Sequence, residues 1–387
     1  MRKVIIIGGG AAGLAAAIAS AENGAETTVL EAAKKPGRKI TLSGNGRCNL
    51  SNTAFPEHMY HGSDPAFAEQ LLRDNREMLT AFFRSCGIVT RTVGTGIYPY
   101  SEEAPSVLEN FLSRAEALGV RIRNNTPCVG IEREGEHFLV HTPSWKYEAD
   151  RVILACGSPA FAEKGSTGGN GYGLASSLGH SVKEPIPALV PVVLRGGIFP
   201  KWAGARARGV VKLLCDGEEL LRSEGQIQFT KYGISGIPVM DVSGTAARCL
   251  AEGRKVSMAL DLMPELALTE AENLLRARKQ FGTGILPAKV AAVLASYPYV
   301  TDDPSGLAKR LKGSEWEVES VRPMSEAQCA SGGIPVQETD RRTMESVFVP
   351  GLYLTGEMLD IDGICGGYNL SFAFLTGICA GRSAADD

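Results

Sequence analysis

The nine cysteines of this sequence lack the short spacings that metal and redox sites need. The closest two, Cys365 and Cys379, are fourteen positions apart. This spacing excludes the paired ligands of a structural zinc site and the vicinal dithiol of a disulfide reductase. An odd number of scattered cysteines is instead typical of reduced, mostly buried thiols. We therefore expect a cytoplasmic protein without a metal site.

The sequence also lacks an excess of positive charge. Its 40 Lys and Arg residues stand against 43 Asp and Glu residues, the formal net charge is -3, and no long run of like charge occurs. Nucleic acid and anionic lipid are bound mainly through clustered basic residues. We therefore expect a small-molecule partner, no nucleic acid and no membrane. The oligomeric state is not indicated.

Low-complexity segments are absent as well, and so is an internal repeat of about 20 to 50 residues, which would indicate a solenoid or a propeller. With 44% hydrophobic and 21% charged residues, the chain can bury a sizeable core and is not a disordered protein. Its 387 residues exceed what one hydrophobic core usually serves. Two or three domains are expected.

Two interpretations compete for the start of the chain. Arg2 and Lys3 precede an uncharged stretch over 4–21, as in a secretory signal peptide. The glycines at positions 8, 9, 10 and 13 would weaken an inserting helix, however, and suit a tight turn between a strand and a helix. We therefore predict one βαβ unit, with a strand, a helix and a second strand over 4–7, 11–23 and 27–30.

The turn of this unit carries a dinucleotide-binding fingerprint. Gly8, Gly10 and Gly13 have the spacing GxGxxG, and Glu31 ends the second strand. In this motif the first glycine permits the turn, the second lets the backbone approach a pyrophosphate, and the third brings helix against strand. The N–H groups that begin the helix attract the phosphates. Glu31 is expected to accept hydrogen bonds from the adenosine ribose.

A long irregular segment over 34–53 follows Glu31 and is rich in Gly, Asn, Ser and Arg. Because it is longer than an ordinary connection in an α/β fold, it is expected to be functional. Beyond it, amphipathic patterns predict helices over 64–86 and 106–119, and alternating patterns predict strands near 121, 128–132 and 138–141.

The dinucleotide-binding domain is interrupted along the chain. Apolar strands are predicted over 151–155 and 351–354 and a small-residue helix over 369–384, whereas short strands and three helices fill the region between. Glutathione-reductase-like flavoproteins interrupt their FAD domain in the same way. We predict an α/β fold class with a Rossmann-type FAD-binding domain over 1–185 and 325–387, a β-barrel substrate domain over 186–262 and 314–324, and a helical subdomain over 263–313.

Five separated segments make the resemblance specific: GGGAAGLAAAI, PGRKITLSGNGRCNLSN, GSTGGNGYG, ASGGIPVQETDRRTMES and GLYLTGEMLDIDGICGGYNLSFAFLTG. Together they resemble the family of FAD-binding flavoproteins that includes BaiN and aminoacetone oxidase. The C-terminal segment is also similar to fumarate-reductase and ketosteroid-dehydrogenase flavoproteins. One departure is Asn170, where the family usually has Asp. Any role that needs a carboxylate at that position is in doubt.

This resemblance implies FAD contacts at both ends of the chain. Backbone groups of Val129 would meet the adenine, Glu357 would lie near the ribityl and phosphate groups, and the N–H groups before the last helix would face the flavin N1 and C2 carbonyl. The complete predicted set is Gly8, Gly10, Ala11, Ala12, Gly13, Glu31, Arg38, Lys39, Ser43, Asn45, Arg47, Cys48, Asn49, Val129, Gly157, Gly356, Glu357, Gly367, Tyr368, Asn369 and Leu370.

No catalytic residue is identified from the sequence. Cys48 could lie against the flavin, but a lone cysteine in a loop is more often a packing residue. His58 and His61 have a metal-ligand spacing without further ligands nearby and are expected to be solvated. Tyr98 and Tyr100 could either line the substrate side of the flavin or belong to the core.

The expected function is that of an FAD-dependent oxidoreductase that exchanges a hydride between flavin N5 and an organic substrate. Resemblance to BaiN implies reduction of an enone C=C in a 3-oxo steroid or bile-acid intermediate, with NAD(P)H as a transient electron donor, and this alternative is favoured. Resemblance to aminoacetone oxidase implies oxidation of a small amine by O2. A flavin-containing RNA-binding or scaffold protein is a third alternative, which the net charge opposes.

Overall fold

The computed structural model describes residues 1–161, 171–277, 284–295 and 303–386. Its helices, in chain order, are α1 Ala11–Glu22, α2 Arg38–Leu42, α3 Pro65–Asp74, α4 Arg76–Ser85, α5 Ala104–Ala117, α6 Gly171–Ser177, α7 Phe199–Trp202, α8 Ile237–Ala251, α9 Leu268–Arg276, α10 Ala288–Ala295, α11 Pro304–Gly313 and α12 Tyr368–Ala385.

The strands, in chain order, are β1 Lys3–Ile7, β2 Glu26–Leu30, β3 Ser51–Asn52, β4 Tyr60–Gly62, β5 Thr90–Val93, β6 Gly96–Pro99, β7 Arg121–Arg123, β8 Gly130–Glu134, β9 His137–His141, β10 Lys146–Ala149, β11 Arg151–Leu154, β12 Lys183–Ala188, β13 Val192–Leu194, β14 Arg206–Cys215, β15 Glu218–Phe229, β16 Gly233–Ser235, β17 Val256–Asp261, β18 Ser314–Val321, β19 Cys329–Gly333, β20 Leu352–Leu354 and β21 Ile361–Gly363.

The chain forms two compact units. The first consists of Met1–Pro185 and Cys329–Asp387, and the second consists of Ile186–Gln328. The sequence-based division predicted borders after 185 and after 324, so the second border lies four residues later in the structure than predicted. The separation of 263–313 as a subdomain of its own, and the substrate role of the second unit, stay predictions.

A five-stranded sheet in the order β20-β11-β1-β2-β7 lies at the centre of the first unit. Neighbouring strands are parallel, and their aliphatic residues are buried because helices cover such sheets on both faces. The register pairs Ile7 with both Leu30 and Leu154, and Leu154 with Leu354. Four strands therefore end at one level, and the residues that follow them meet at one edge of the sheet.

Helices α1 and α12 pack against each other through residues without large side chains. A Cβ atom at Gly377 would overlap the carbonyl oxygen of Ala12, and one at Gly381 would overlap that of Ala16. Ser20 Oγ donates to the Gly381 carbonyl at 2.9 Å. The two backbones thus lie in direct contact, and α12 runs parallel to α1.

The predicted βαβ unit is confirmed by β1, α1 and β2. The alternative interpretation of residues 4–21 as a signal peptide is wrong, because these residues form a buried strand and a mostly buried helix of this unit.

The single helix predicted over 64–86 is two helices. Asn75 ends α3 and begins α4 with a φ of -115°, and its side chain donates to the Leu71 carbonyl at 2.9 Å. The amphipathic pattern continues across this break, so the sequence did not reveal it.

The second unit contains a closed barrel in the strand order β13-β16-β15-β14-β17-β18. The rings of Phe199, Trp202, Phe229 and Trp316 pack together in its core, with Trp202 and Phe229 centroids 4.9 Å apart. The predicted inserted barrel is therefore confirmed. Helix α8, which packs on this barrel, was not predicted.

The contact between α1 and α12 predicts a large effect of one methyl group. Gly377→Ala should lower the free energy of unfolding by about 1–3 kcal/mol through overpacking, partly offset by a gain of up to about 1 kcal/mol in helix propensity. Urea unfolding measures this change. Gly313→Ala is the matched control, because a Cβ at this helical glycine meets no atom within 4 Å. An unfolding midpoint of Gly377→Ala equal to that of the wild type would contradict the close packing.

Candidate functional site

The carboxyl edge of the parallel sheet brings together residues that are distant in sequence. Gly8 follows β1, Glu31 follows β2, Gly157 follows β11 and Gly356 follows β20. In open α/β sheets, ligands bind outside this edge. Gly8, Gly157 and Gly356 have φ values of 104°, 70° and 65°, a region that favours glycine. The strand ends therefore turn sharply and leave backbone groups at the edge.

The three fingerprint glycines differ in what surrounds them. A Cβ at Gly8 would lie 2.5 Å from the Ala155 carbonyl oxygen, and one at Gly13 would overlap the Gly8 carbonyl. Packing thus requires glycine at both positions. A Cβ at Gly10, in contrast, meets no protein atom within 4 Å. This position is open for the close approach of a ligand to the start of α1, as the fingerprint predicts.

Glu31 is buried, with 9% of its surface exposed, and both carboxylate oxygens accept backbone hydrogen bonds. Oε2 accepts from Gly9 N at 2.7 Å, and Oε1 accepts from Ala33 N at 2.7 Å. Each oxygen retains acceptor capacity for a further donor. The carboxylate is therefore held in place between the glycine turn and the loop that follows β2, where it can receive ribose hydroxyls.

Glu357 connects several segments at the same edge. Its Oε2 pairs with Lys39 Nζ at 2.6 Å, and its Oε1 accepts from Ser158 Oγ at 2.8 Å and from Ala330 N at 3.1 Å. Lys39 lies in α2, so this pair ties the long loop to the end of β20. Ser158 was not predicted as a site residue, although it directly follows the predicted Gly157. The hydrogen bond from Ala330 N to Glu357 could not be predicted either, because a backbone N–H has no residue-specific signal in the sequence.

The loop over 43–49 has an unusual backbone. Asn45 and Cys48 have φ values of 56° and 58°, although they are not glycines, and Gly44 and Gly46 are also in the left-handed region. Such strain persists where other interactions determine the conformation and is frequent at functional sites. Within this loop, Ser43 Oγ donates a hydrogen bond to the Ile40 carbonyl at 2.7 Å. The side chain of Asn45 is exposed.

Two buried polar atoms of this loop have no hydrogen-bond partner among the residues that the structure describes. They are Arg47 Nε and Asn49 Oδ1. An unsatisfied buried polar group costs about 1–3 kcal/mol, so it usually indicates a missing ligand or water. The Arg47 guanidinium is fixed by Glu102 and by the ring of Tyr98, 4.6 Å from the ring centroid. The Arg47 side chain is therefore held in position while its Nε remains without a partner among the described residues.

Helix α12 begins at this loop. Gly367 is its N-cap with a φ of 94°, and a Cβ there would lie 2.9 Å from Asn49 Oδ1. Asn52 Nδ2 donates to the Gly366 carbonyl at 2.9 Å, and Tyr60 Oη donates to the Tyr368 carbonyl at 3.0 Å. The free N–H groups and the positive dipole end of this long helix are thus fixed beside the loop.

The positions of the two helix starts fit an extended dinucleotide. Gly377 of α12 lies against Ala12 of α1, and α12 begins nine residues earlier at Tyr368. Because α1 begins one residue before Ala12, at about 1.5 Å per residue the start of α12 projects roughly 12 Å beyond the start of α1 in the same direction. A five-carbon ribityl chain and part of a flavin ring can cover this separation. The described residues at this edge therefore fit an extended dinucleotide such as FAD.

Two more predicted positions need qualification. Val129 is 54% exposed, but its N–H donates to the His141 carbonyl at 2.8 Å, so a contact with adenine would have to come from its carbonyl. The Asn369 carboxamide accepts from Gly363 N and donates to Gly363 O, both at 2.8 Å. Asn369 therefore offers a ligand its backbone, not its side chain. Gly169 and Asn170 lie outside the described residues.

Cys48 is fully buried. Burial raises the pKa of its thiol to about 11, and this effect is larger than that of a hydrogen bond with Ser43, which lowers the pKa. A thiol with this pKa stays protonated at neutral pH and is a poor nucleophile. The packing interpretation therefore fits the structure better than a catalytic one.

The two tyrosines near this loop have different environments. The prediction that Tyr100 could belong to the core is wrong, since this residue is 64% exposed. Tyr98 is half-buried, and its ring lies beneath the Arg47 guanidinium.

The prediction that His58 and His61 form a solvated pair is wrong for His61. His58 is exposed, but only 13% of the His61 side chain is accessible, and its Nδ1 lies 3.6 Å from Asp362 Oδ2. The two residues have different environments because β4 begins between them and pairs with β21. The local sequence carries no sign of this pairing with a strand 300 positions later.

Among the described residues, no group of three or more His, Cys, Asp and Glu side chains is arranged to hold a metal ion. None of the described helices is both long enough and apolar enough to cross a bilayer.

Comparisons with known proteins agree with this architecture. The family described as HI0933-like protein Rossmann domain matches residues 2–383. The chain is 37% identical over 410 residues to a 3-dehydro-bile acid delta(4,6)-reductase of Clostridium scindens, with 100% of both chains covered. It is 28% identical to a ribosomal RNA dihydrouridine synthase of Haemophilus influenzae, with 96% of this chain and 95% of the relative covered.

A solved structure shares the fold over the whole chain. The 3-ketosteroid delta1-dehydrogenase of Sterolibacterium denitrificans superimposes with a TM-score of 0.54 at 12% identity, and 100% of both chains is covered. This likeness concerns the fold alone. The family match and the full-length curated relative lead to one assignment: the chain belongs to the HI0933-like family of Rossmann-domain proteins and is an FAD-dependent oxidoreductase.

Proposed function

We propose that the protein reduces a carbon–carbon double bond conjugated to a carbonyl group in a 3-oxo steroid or bile-acid-like substrate. The observation that carries this proposal is the 37% identity, over both full chains, to a bile-acid delta(4,6)-reductase. When bound, reduced FAD supplies the hydride for such a reaction. The residues of this chain bind the cofactor, orient it and stabilise charge.

We assign the two ends of FAD to the two helix starts. The open position at Gly10 and the carboxylate of Glu31 would hold the pyrophosphate and the adenosine ribose. Lys39, paired with Glu357, would lie along the phosphate and ribityl groups. Arg47 Nε and Asn49 Oδ1, which have no protein partner, would meet polar groups of the flavin or substrate.

The start of α12 would favour the reduced cofactor. The first N–H groups of a helix have no intrahelical acceptor and carry a positive partial charge. Oriented toward the N1 and C2 carbonyl region, they stabilise the negative charge that develops there during reduction. The Gly366 carbonyl accepts a hydrogen bond from Asn52 Nδ2 at 2.9 Å, which fixes the segment that leads into this helix before any ligand binds.

NAD(P)H is the proposed source of electrons. The sequence has one GxGxxG between a strand and a helix, whereas Gly94-x-Gly96 and Gly282-x-Gly284 lack a third glycine. A second Rossmann-type nicotinamide site is therefore not expected from the sequence. On this basis the nicotinamide and the organic substrate would use the same approach to the flavin in turn.

Reduction of uridine in ribosomal RNA is a second candidate. The relative from Haemophilus influenzae is named a ribosomal RNA dihydrouridine synthase, and the match covers 96% of this chain. Uracil, like an enone, has a C=C conjugated to a carbonyl, so the two candidate reactions use the same hydride addition. The lower identity of 28% and the net charge of -3 favour the steroid-type substrate.

Glu31 provides the test of the cofactor assignment. Glu31→Gln should weaken FAD binding by about 1.5–3 kcal/mol for each charge-assisted hydrogen bond lost, which is roughly 10-fold to 150-fold in dissociation constant. Quenching of flavin fluorescence during titration of the apoprotein measures the constant. Glu26→Gln, at the first residue of β2 and paired with Arg121 at the surface, is the control and should bind FAD like the wild type. Equal affinities of all three proteins would show that Glu31 does not bind the ribose.

An anaerobic screen tests the substrate assignment. NADH or NADPH should bleach the flavin, and a 3-oxo-4-ene steroid acid should restore its colour, because the enone accepts the hydride. Steady-state double-reciprocal plots should be parallel, since donor and substrate bind in turn. Bleaching by a small amine with peroxide release in air would favour an amine oxidase instead. Dihydrouridine formation in ribosomal RNA, without enone reduction, would establish the second candidate.

A further inference from the structure

Arg91 and Glu102 are charged residues beside the loop over 43–49 that the proposed function leaves without a role. Arg91 lies in β5, and Glu102 lies between β6 and α5. The Glu102 carboxylate pairs with two guanidinium groups, through Oε1 with Arg91 Nη2 and through Oε2 with Arg47 Nη2. Two positive charges therefore stand against one negative charge. We call Arg47, Arg91 and Glu102 the arginine cluster, and its formal net charge is +1.

Aromatic rings fix both guanidinium groups of the arginine cluster. The Arg47 guanidinium carbon lies 4.6 Å from the centroid of the Tyr98 ring, and that of Arg91 lies 5.2 Å from the centroid of the Tyr100 ring. Each arginine side chain is nevertheless 41% exposed. Arg91 contacts Glu102 through Nη2, so its remaining N–H donors keep their capacity for another acceptor. The cluster is thus held in place and still accessible.

The sheet β3-β6-β5 connects the arginine cluster with the start of α12. Its register pairs Asn52 with Gly96, and Arg91 with Tyr98. Cross-strand partners of an antiparallel pair share a face, and so do residues two positions apart in one strand. The side chains of Asn52, Tyr98 and Arg91 therefore lie on one face of this sheet. Asn52 Nδ2 donates to the Gly366 carbonyl at 2.9 Å, so this face is the one that contacts the segment before α12.

A continuous set of contacts on this face leads from the start of α12 to Arg47. A Cβ at Gly367 would lie 2.9 Å from Asn49 Oδ1. A Cβ at Gly96 would lie 3.2 Å from both polar atoms of the same Asn49 carboxamide and 2.8 Å from Tyr98 Cε2. The Tyr98 ring in turn carries the Arg47 guanidinium. Asn49 and Tyr98 therefore connect the start of α12 with the arginine cluster.

We propose that Arg91, together with Arg47, binds a carboxylate group of the substrate at the end remote from the reacting double bond. This inference rests on the proposed function. In a bile-acid-like molecule, the 3-oxo group and the side-chain carboxylate stand at opposite ends of the ring system. Strand β5 lies two strand spacings, about 10 Å, from β3, which contacts the start of α12. The enone can therefore lie at the proposed flavin position while the carboxylate reaches the arginines.

Glu102 is the positioning residue of this carboxylate site. It holds both guanidinium groups before a substrate arrives, which reduces the entropy that binding would cost. Because the cluster keeps a net positive charge, it still attracts an anion, and a guanidinium group can bind a carboxylate through two parallel hydrogen bonds. A neutral steroid offers no partner for this charge. The site therefore selects acids over uncharged analogues of the same shape.

Equilibrium binding provides the test. The FAD-loaded, oxidised protein is titrated by calorimetry with a saturated 3-oxo steroid acid and, separately, with its primary amide. The wild type should bind the acid more tightly than the amide. Arg91→Gln should raise the Kd of the acid about 5- to 20-fold, because a charge-assisted hydrogen bond at a half-exposed position is lost. The same substitution should change the Kd of the amide by less than about twofold.

Arg121→Gln is the matched control. Arg121 also lies in a strand and pairs with a glutamate, Glu26, and its side chain is 58% exposed. Both residues begin their strands, so this pair lies at the amino edge of the central sheet, opposite the candidate site. The control should leave both Kd values unchanged. Arg91→Lys keeps the charge without the planar fork and should recover part of the acid affinity, and FAD affinity of Arg91→Gln should stay within about twofold of the wild type.

The outcomes separate this inference from the proposed function. Equal binding of acid and amide by the wild type, or an equal effect of Arg91→Gln on both, overturns the inference even if the enone reoxidises the flavin. Slower bleaching of the Arg91→Gln flavin by NAD(P)H, with unchanged acid affinity, also overturns it, because the arginines would then bind phosphates of the electron donor. If acid binding depends on Arg91 but the enone fails to reoxidise the wild type, the proposed function fails and the carboxylate site stands.

Discussion

The direct contact between the backbones of α1 and α12 is the constraint on which the candidate site depends. Gly377 and Gly381 leave no side chain between the helices, so α12 rests on the carbonyl groups of Ala12 and Ala16. The two helices come from opposite ends of the chain and run in the same direction. Their N-termini therefore point to the same side of the sheet, about 12 Å apart along the helix direction. This offset positions two anion-favouring helix ends for one extended cofactor.

The charged groups around these helix ends are arranged before a ligand binds. Glu31 is held by backbone N–H groups, and Glu357 is held by Lys39, Ser158 and a backbone N–H group. Neither carboxylate therefore has to reorganise when a cofactor enters. In contrast, Arg47 Nε and Asn49 Oδ1 are buried without hydrogen-bond partners among the described residues. The satisfied groups therefore fix the scaffold at this edge before a cofactor binds.

Local sequence patterns predicted the elements that carry the cofactor edge. The glycine turn, Glu31 and the start of the last helix have short-range signals, namely GxGxxG, an acidic residue ending a strand, and Gly366-Gly367 before a small-residue helix. Pairings between distant segments left no such signal. The ladder of β4 and β21 changed His61 from an expected surface residue to a buried one, and the break at Asn75 interrupts a continuous amphipathic pattern. These features depend on tertiary contacts, which composition and periodicity do not encode.

The central claim is that both ends of this chain build one FAD site. The most direct measurement is the identity and amount of the flavin that the purified and reconstituted protein releases when it is denatured. The account predicts one FAD per chain, bound noncovalently, because the adenosine, pyrophosphate and flavin positions are all supplied by the first unit. Release of FMN, or of no flavin after reconstitution with FAD, would contradict it.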